Sequence, residues 1–351
     1  MPTASTNLSR HGVLAGGNWL IDHVKVLDTW PAQDALANII DQSDGNGGGP
    51  YNMLTNLARM QCGFPLAGVG LIGRDADGEH ILGDCDAQGI DRQGFHQSDV
   101  APTSYTDVMT VGDTGRRTFF HRQGANALLG REHFNLPTSA ARIFYLGYMC
   151  LLKRMDALDS DGRTEASYLL QEARQLGLIT VADLVSRQSS DFAKIINPSL
   201  PHLDYLLLNE YELSRLAGRD NAAGGVAELM ADARVILARG VHRAVIVHLP
   251  AFALWIGPGQ NVEIQPSVRL PQELIRGTVG AGDAFAAGVI YGLHEGWPPP
   301  ACLELGACVA AASLRDATSS AAVEPWATCL ALGRKLGFNT ALDGNRPGVE
   351  D

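Results

Sequence analysis

Arg276-Gly277-Thr278-Val279-Gly280-Ala281-Gly282-Asp283 runs directly into an apolar stretch that reaches Leu293. Phe285, Val289 and Leu293 recur at helical spacing, so the small residues at 280–282 open a helix. A helix start leaves several backbone N–H groups unpaired, and with the positive end of the helix dipole they make an anion site. Glycine lets the backbone approach a phosphate where a Cβ would clash. Asp283 is the unusual member, a carboxylate in the first turn of a helix built to receive an anion. It reads as a helix-start acid or, beside a phosphate, as a base that takes a proton from an attacking hydroxyl. The stretch alone leaves both readings open.

Other segments carry chemistry of the same kind. Asn209-Glu210-Tyr211-Glu212 follows the strand-like run Tyr205–Leu208. Asn209 suits a helix N-cap and Glu212, three residues on, completes a capping box. An amide and a carboxylate there also suit a hydrated Mg²⁺, which keeps its waters and takes few protein ligands. Gly47-Gly48-Gly49-Pro50-Tyr51-Asn52 is either a turn before a helix or a place where a polyol lies on the backbone while Asn52 serves its hydroxyls. Asp22, in an apolar extended stretch, is a solvent-facing acid or a carboxylate that accepts two sugar hydroxyls. Gly68-Val69-Gly70-Leu71-Ile72-Gly73 matches G-x-G-x-x-G, but it lies inside an apolar strand-like run, the wrong context for a dinucleotide turn. Asp75-Ala76-Asp77-Gly78 lacks the later ligands of a calcium loop. No G-x-x-x-x-G-K-[ST], H-E-x-x-H or G-x-S-x-G motif is present.

The elements that must position these residues follow from composition and pattern. The chain has 351 residues, 46% hydrophobic and 19% charged, enough for one large domain with a smaller appendage. A net charge of −11 argues against a nucleic-acid surface but not against a small phosphorylated ligand. Six cysteines without a C-x-x-C pair fit a reducing compartment. The polar start has no apolar core of a signal peptide, and no 18-residue apolar run follows, so a cytoplasmic protein is expected, without membrane. Residues 12–17 and 65–72 read as buried strands, 44–50 as a turn-rich loop, and 104–111 with 116–121 as a β-hairpin. From Arg142 strands alternate with helices of ten to fifteen residues, including one over Ala222–Arg239, which implies a parallel sheet covered on both faces. Ligands then bind beyond the carboxyl ends of the strands.

Together these segments resemble the ribokinase-like (PfkB-type) carbohydrate kinase family. Gly277-Thr278-Val279-Gly280-Ala281-Gly282-Asp283 is similar to its C-terminal D-T-x-G-A-G-D signature, Gly47-Gly48 with Asn52 to its G-G-x-x-x-N signature, and Asn209-x-x-Glu212 to its N-x-x-E motif. Gly17 to Asp22, and Gly124-Ala125-Asn126, add to the likeness, which runs from about residue 12 to 336 in order. The resemblance implies an α/β fold: a Rossmann-like, mostly parallel sheet flanked by helices, with a small β-sheet lid. It places a kinase domain at 1–338, a lid formed by about 18–44 and 96–124, and a loose tail at 339–351.

It implies transfer of the ATP γ-phosphate to a sugar hydroxymethyl group. Asp283 would take the proton, and the N–H groups of Gly280, Ala281 and Gly282 would form the anion hole. Thr278 and Asn209 would contact the nucleotide, while Asn209 and Glu212 would hold Mg²⁺ through water. Asp22, Gly47, Gly48 and Asn52 would hold the sugar. A homodimer through the lid edges is implied as well. Two positions depart from the pattern. Gly277 replaces the acid that in the ribokinase branch helps hold a monovalent cation, which puts potassium activation in question. His248-Leu249-Pro250 stands where a T-x-G meets the nucleotide phosphates. Arg116 and Arg117 read as solvent-facing, which favours an unphosphorylated sugar. A nucleoside kinase, with Trp19, Tyr105 or Phe119 as base platform, and a catalytically silent binder are the alternatives. A dehydrogenase requires 68–73 to open a helix.

Overall fold

The computed structural model describes residues 10–187, 190–219 and 225–340. The polar start at 1–9, residues 222–224 of the expected sixth helix, and the tail beyond 340 lie outside them. The chain runs β1 (Val13–Gly17), β2 (Leu20–Leu27), β3 (Ile39–Gly47), α1 (Gly49–Arg59), β4 (Leu66–Gly73), α2 (Ala76–Gln88), β5 (Ile90–Ser98), β6 (Ser104–Val111) and β7 (Arg117–Arg122). It continues through β8 (Ile143–Met149), α3 (Glu165–Gln175), β9 (Ile179–Leu184), α4 (Phe192–Ile196), β10 (Tyr205–Asn209), α5 (Glu210–Ala217), α6 (Val226–Ala238) and β11 (Ala244–His248). It ends with β12 (Phe252–Ile256), β13 (Val262–Pro266), α7 (Ala281–Glu295), α8 (Pro299–Ser313) and α9 (Trp326–Leu336).

Among the described residues the strands form two sheets. The larger has the order β13-β12-β11-β10-β9-β8-β1-β4-β5, parallel from β5 to β11 and antiparallel at β12 and β13. Its central strands are apolar throughout because helices cover both faces. Along β8, Ile143 and Tyr145 join the core under α1, α7 and α8, while Phe144 and Leu146 join the core under α3, α5 and α6. The smaller sheet has the order β3-β2-β6-β7, with β2 and β6 parallel and both outer pairs antiparallel. The architecture is the mostly parallel α/β body with a separate small sheet.

Residues 44–47 and the polar outer strands differ from the sequence reading, whereas the glycines of 68–73 lie in a strand as expected. Residues 44–47 do not form a loop but end β3, pairing Leu20 with Gly47 and His23 with Asp44. β5 and β3 are polar outer strands whose backbone ladders supply the stabilisation that their side chains do not advertise. Gly68 and Gly70 lie within β4, and the α2 helix begins only at Ala76. A Cβ at Gly68 would stand 2.8 Å from the Trp19 ring, and one at Gly70 2.5 Å from it. Trp19 also donates its indole N–H to the Val69 carbonyl at 2.9 Å. Those glycines make room for a tryptophan rather than a pyrophosphate, which removes the dehydrogenase reading.

Candidate active site

The carboxyl ends of β1, β8, β9, β10 and β11 converge on the start of α7. Gly280 caps that helix with φ 71°, and a Cβ there would approach the Ser319 Cα to 2.8 Å, so only glycine satisfies both the angle and the space. The first intrahelical bond runs from the Ala284 N–H to the Gly280 carbonyl at 2.8 Å. The N–H groups of Ala281, Gly282 and Asp283 precede it and have no helical acceptor. The His248 ring lies against Gly282, where a Cβ would be 3.0 Å from Cε1. Burial pushes His248 down to about 4, so it is neutral near pH 7 and adds no positive charge to this end. The segment expected to differ at the nucleotide side therefore packs an imidazole beneath the first turn of α7.

Asp283 is buried and held at both oxygens. Oδ1 accepts from the Tyr148 hydroxyl at 2.5 Å, and Oδ2 accepts from Asn52 Nδ2 at 2.8 Å. Burial raises its carboxyl to about 6, and the Tyr148 and Asn52 hydrogen bonds oppose that rise. Asn52 is presented by α1, whose cap Gly48 has φ 89°; a Cβ at Gly48 would meet the Asn18 backbone carbon at 3.0 Å. The Asn52 Oδ1 accepts from Asn46 Nδ2 at 2.6 Å and from the Ser319 hydroxyl at 3.3 Å. Both ends of the amide that sequence reasoning reserved for a polyol are thus engaged by the protein in this structure.

Asp22, on β2, reaches the same space from the small sheet. Its carboxyl carbon would stand 2.7 Å from a Cβ at Gly47, which accounts for glycine there. Burial first, and then the Asp283 charge, raise Asp22 to about 7, with His23 opposing. Two carboxyls, one from the small sheet and one from the start of α7, are thus both raised toward neutrality.

Thr278 is exposed, and its Oγ1 receives Arg117 Nη1 at 3.4 Å. Arg116 faces solvent as expected; Arg117 instead turns from β7 toward the loop before α7. Of the three candidate base platforms, Trp19 is fully buried and stacked on Tyr51 at 5.2 Å, so it offers no face to a ligand. Phe119 is exposed, and Tyr105 lies beside His23 at 5.3 Å.

Asn209 and Glu212 form the capping box of α5: Asn209 Oδ1 accepts from the Glu212 N–H, and Glu212 Oε2 from the Asn209 N–H, both at 2.9 Å. Ser186 closes the cluster, accepting from Asn209 Nδ2 and donating to Glu212 Oε1, each at 2.8 Å. Among the described residues no hydrogen bond joins this pair to Asp283. Asp183, at the end of β9, stands between them; burial first, then the charges of Glu212 and Asp283, raise it well above the ordinary carboxylate range. Burial likewise raises Glu212 to about 7. Tyr145, Tyr148, Asp183 and Ser186 were missed as site residues. Their positions at the carboxyl ends of strands were the available signal.

A family model described as pfkB family carbohydrate kinase matches residues 17–326. An ATP-dependent ribose-1-phosphate kinase from Halopiger xanaduensis is 26% identical over 310 residues, 88% of this chain and 94% of that protein. A fructokinase from Klebsiella pneumoniae is 25% identical over 284 residues, 75% of this chain and 83% of that protein. The solved structure of a ribokinase from Thermotoga maritima superposes with a TM-score of 0.75 at 20% identity, over 93% of this chain and 99% of that one. That structural likeness speaks to the fold.

Proposed function

The chain belongs to the pfkB family of carbohydrate kinases, and from that premise we propose that it transfers the γ-phosphoryl group of ATP to a hydroxymethyl group of a sugar, with Asp283 as general base. The observation that carries this reading is a buried carboxyl, titrating near 6, in the first turn of a helix whose leading N–H groups have no helical acceptor. The acceptor hydroxyl gives its proton to Asp283 and its oxygen bonds to the γ-phosphorus. The bond from that phosphorus to the bridging oxygen breaks and ADP leaves. The N–H groups of Gly280, Ala281 and Gly282 meet the charge on the transferring group, and for Ala281 and Gly282 this costs no reorganisation because the helix already holds them. Thr278 and Asn209 lie on the nucleotide side, and Asp22 with the backbone at Gly47 and Gly48 holds the sugar. Asn52 keeps Asp283 in place as well as lining the sugar side.

The donor set fits magnesium held through water. Asp183 and Glu212 are buried carboxyls whose charges oppose one another, a field that a divalent cation relieves. Among the described residues no three His, Cys, Asp or Glu side chains converge on a metal directly. Asn209 and Glu212 would hold such an ion through its waters. When bound, the ion neutralises charge on the nucleotide phosphates. Arg117 meets Thr278 in the loop before α7, which supports a role at the transferring phosphoryl group and with it an unphosphorylated sugar. The open outer strands of the lid, with Ile39, Ile40, Phe119 and Phe120 exposed, support a homodimer closed across those edges. Free thiols at all six cysteines support a reducing, cytoplasmic setting.

The test is ADP release with Mg-ATP over a panel of ketoses, aldoses, sugar acids, nucleosides, fructose and ribose 1-phosphate, with Asp283→Ala alongside. One sugar should turn over, and the variant should lose at least ~10²–10⁴-fold of the rate. A wild type that binds ATP but turns over no acceptor better than the variant removes the kinase reading and leaves a silent binder.

A further inference from the structure

We propose that Tyr148 is a positioning residue for Asp283, its hydroxyl fixing the carboxylate through Oδ1 and favouring the ionised form that accepts the proton. The inference rests on Asp283 being the base. Tyr148 comes from the carboxyl end of β8, and its hydroxyl lies 2.5 Å from Asp283 Oδ1. Asn52 holds the other oxygen at 2.8 Å, so the carboxylate plane is set from two elements. Each oxygen keeps a second lone pair for the proton of the acceptor.

Tyr148 is itself braced. Its backbone N–H donates to the buried Asn18 side chain, and the Asn18 N–H donates to the Gly147 carbonyl at 2.9 Å. Its ring lies over the first turn of α1, where a Cβ at Gly49 would stand 2.9 Å from Cε1. Glycine at 49 thus makes space for the ring between the sugar-side loop and the base. The groups facing Asp283 are Asp22 from β2, Asp183 from β9, Tyr145 and Tyr148 from β8, and Asn52 from α1, with the neutral His248 of β11 beneath the same turn. Burial favours a protonated Asp283, and the Asp283 charge in turn adds to burial in raising the two carboxyls; Tyr148 and Asn52 are the donors that oppose burial. Burial and the Asp283 charge raise the Tyr148 phenol well above its ordinary range, so it remains a donor throughout the working pH range.

The experiment follows the Asp283 carboxyl directly. Protein labelled with ¹³C-aspartate is titrated by NMR, with Asp283→Asn and Asp22→Asn assigning the two neighbouring resonances. Tyr148→Phe keeps the ring and removes the donor; the Asp283 midpoint should rise by about one pH unit. Fluorotyrosine at 148, a stronger donor, should lower it, an opposite sign that loss of packing cannot produce. The acid limb of kcat/KM should shift with the midpoint in each variant. A midpoint that stays fixed in both variants overturns the inference, even where Asp283→Asn abolishes turnover and upholds the base. Midpoints that move as stated uphold the hydrogen bond, and if no acceptor is then turned over by wild type, it is Asp283 as base that fails and the inferred positioning role with it.

Discussion

A carboxyl that titrates near 6, as Asp283 does because burial outweighs its two hydrogen bonds, is ionised at neutral pH and still basic enough to take a hydroxyl proton. The same balance suits hydrogen-bond partners that are an amide and a phenol rather than a cation: an arginine beside it would hold the carboxyl too acidic. The nearby cation, Arg117, is instead set at Thr278, 3.4 Å from its hydroxyl, on the loop assigned to the phosphoryl group. Arg117→Ala should then lower kcat by about tenfold or more while the acceptor KM changes little. Steady-state kinetics decide this. A variant with normal kcat and a raised acceptor KM would place Arg117 on the sugar instead.

At the scale of elements, two helix starts carry different duties. The start of α7 leaves its N–H groups open for an anion, whereas the start of α5 is closed by its own capping box and by Ser186. The structural reading of Asn209 and Glu212 is therefore satisfied without a metal, and the magnesium role must show as an additional effect. Asn209→Ala should cost about 1 kcal/mol of stability from the lost cap, measured by urea unfolding. It should also raise the Mg²⁺ concentration needed for half-maximal rate. A stability loss with an unchanged magnesium requirement would leave Asn209 as a cap alone.

At the scale of the molecule, the buried titratable groups set how stability depends on pH. Burial raises Asp22, Asp156 and Glu212 to about 7 and Asp283 to about 6, against 3.8 for aspartate and 4.5 for glutamate in an open chain. Between those limits the folded protein binds protons that the unfolded chain does not, so this stabilisation is lost as pH rises through 6 to 7. Burial lowers His121, His202, His248 and His294 below the open-chain 6.5, so the fold binds fewer protons there and stability falls again as pH drops below about 6.5. The carboxyls should lower the urea midpoint between about pH 4 and 7, with a slope of up to ~1.4 kcal/mol per pH unit for each, the histidines oppose them below about 6.5, and both contributions end near pH 7. The stability of wild type relative to Asp283→Asn should fall between about pH 4 and 6 and stay constant above 7. A difference between the two that does not change with pH would contradict this. Activity should rise with pH over the range in which stability falls, because both follow ionisation of Asp283.

What the sequence determined by itself was local. The spacing of Phe285, Val289 and Leu293 behind Gly280–Gly282 marked a helix with an open start, and strands alternating with helices from Arg142 marked a parallel sheet, since both signals lie within a few turns of chain. The polar strands β3 and β5 were not legible because an outer strand needs only a backbone ladder to form. The strand context of the G-x-G-x-x-G run was legible, but the reason for its glycines was not: they answer to Trp19, some fifty residues away, and no local rule records that contact. Tertiary structure alone decided that Tyr148, Asn52 and Asp283 share one carboxylate, and that Arg117 leaves solvent for Thr278. It decided as well that burial and the Asp283 charge raise the Asp22 carboxyl, because both act through space between elements that the chain keeps far apart.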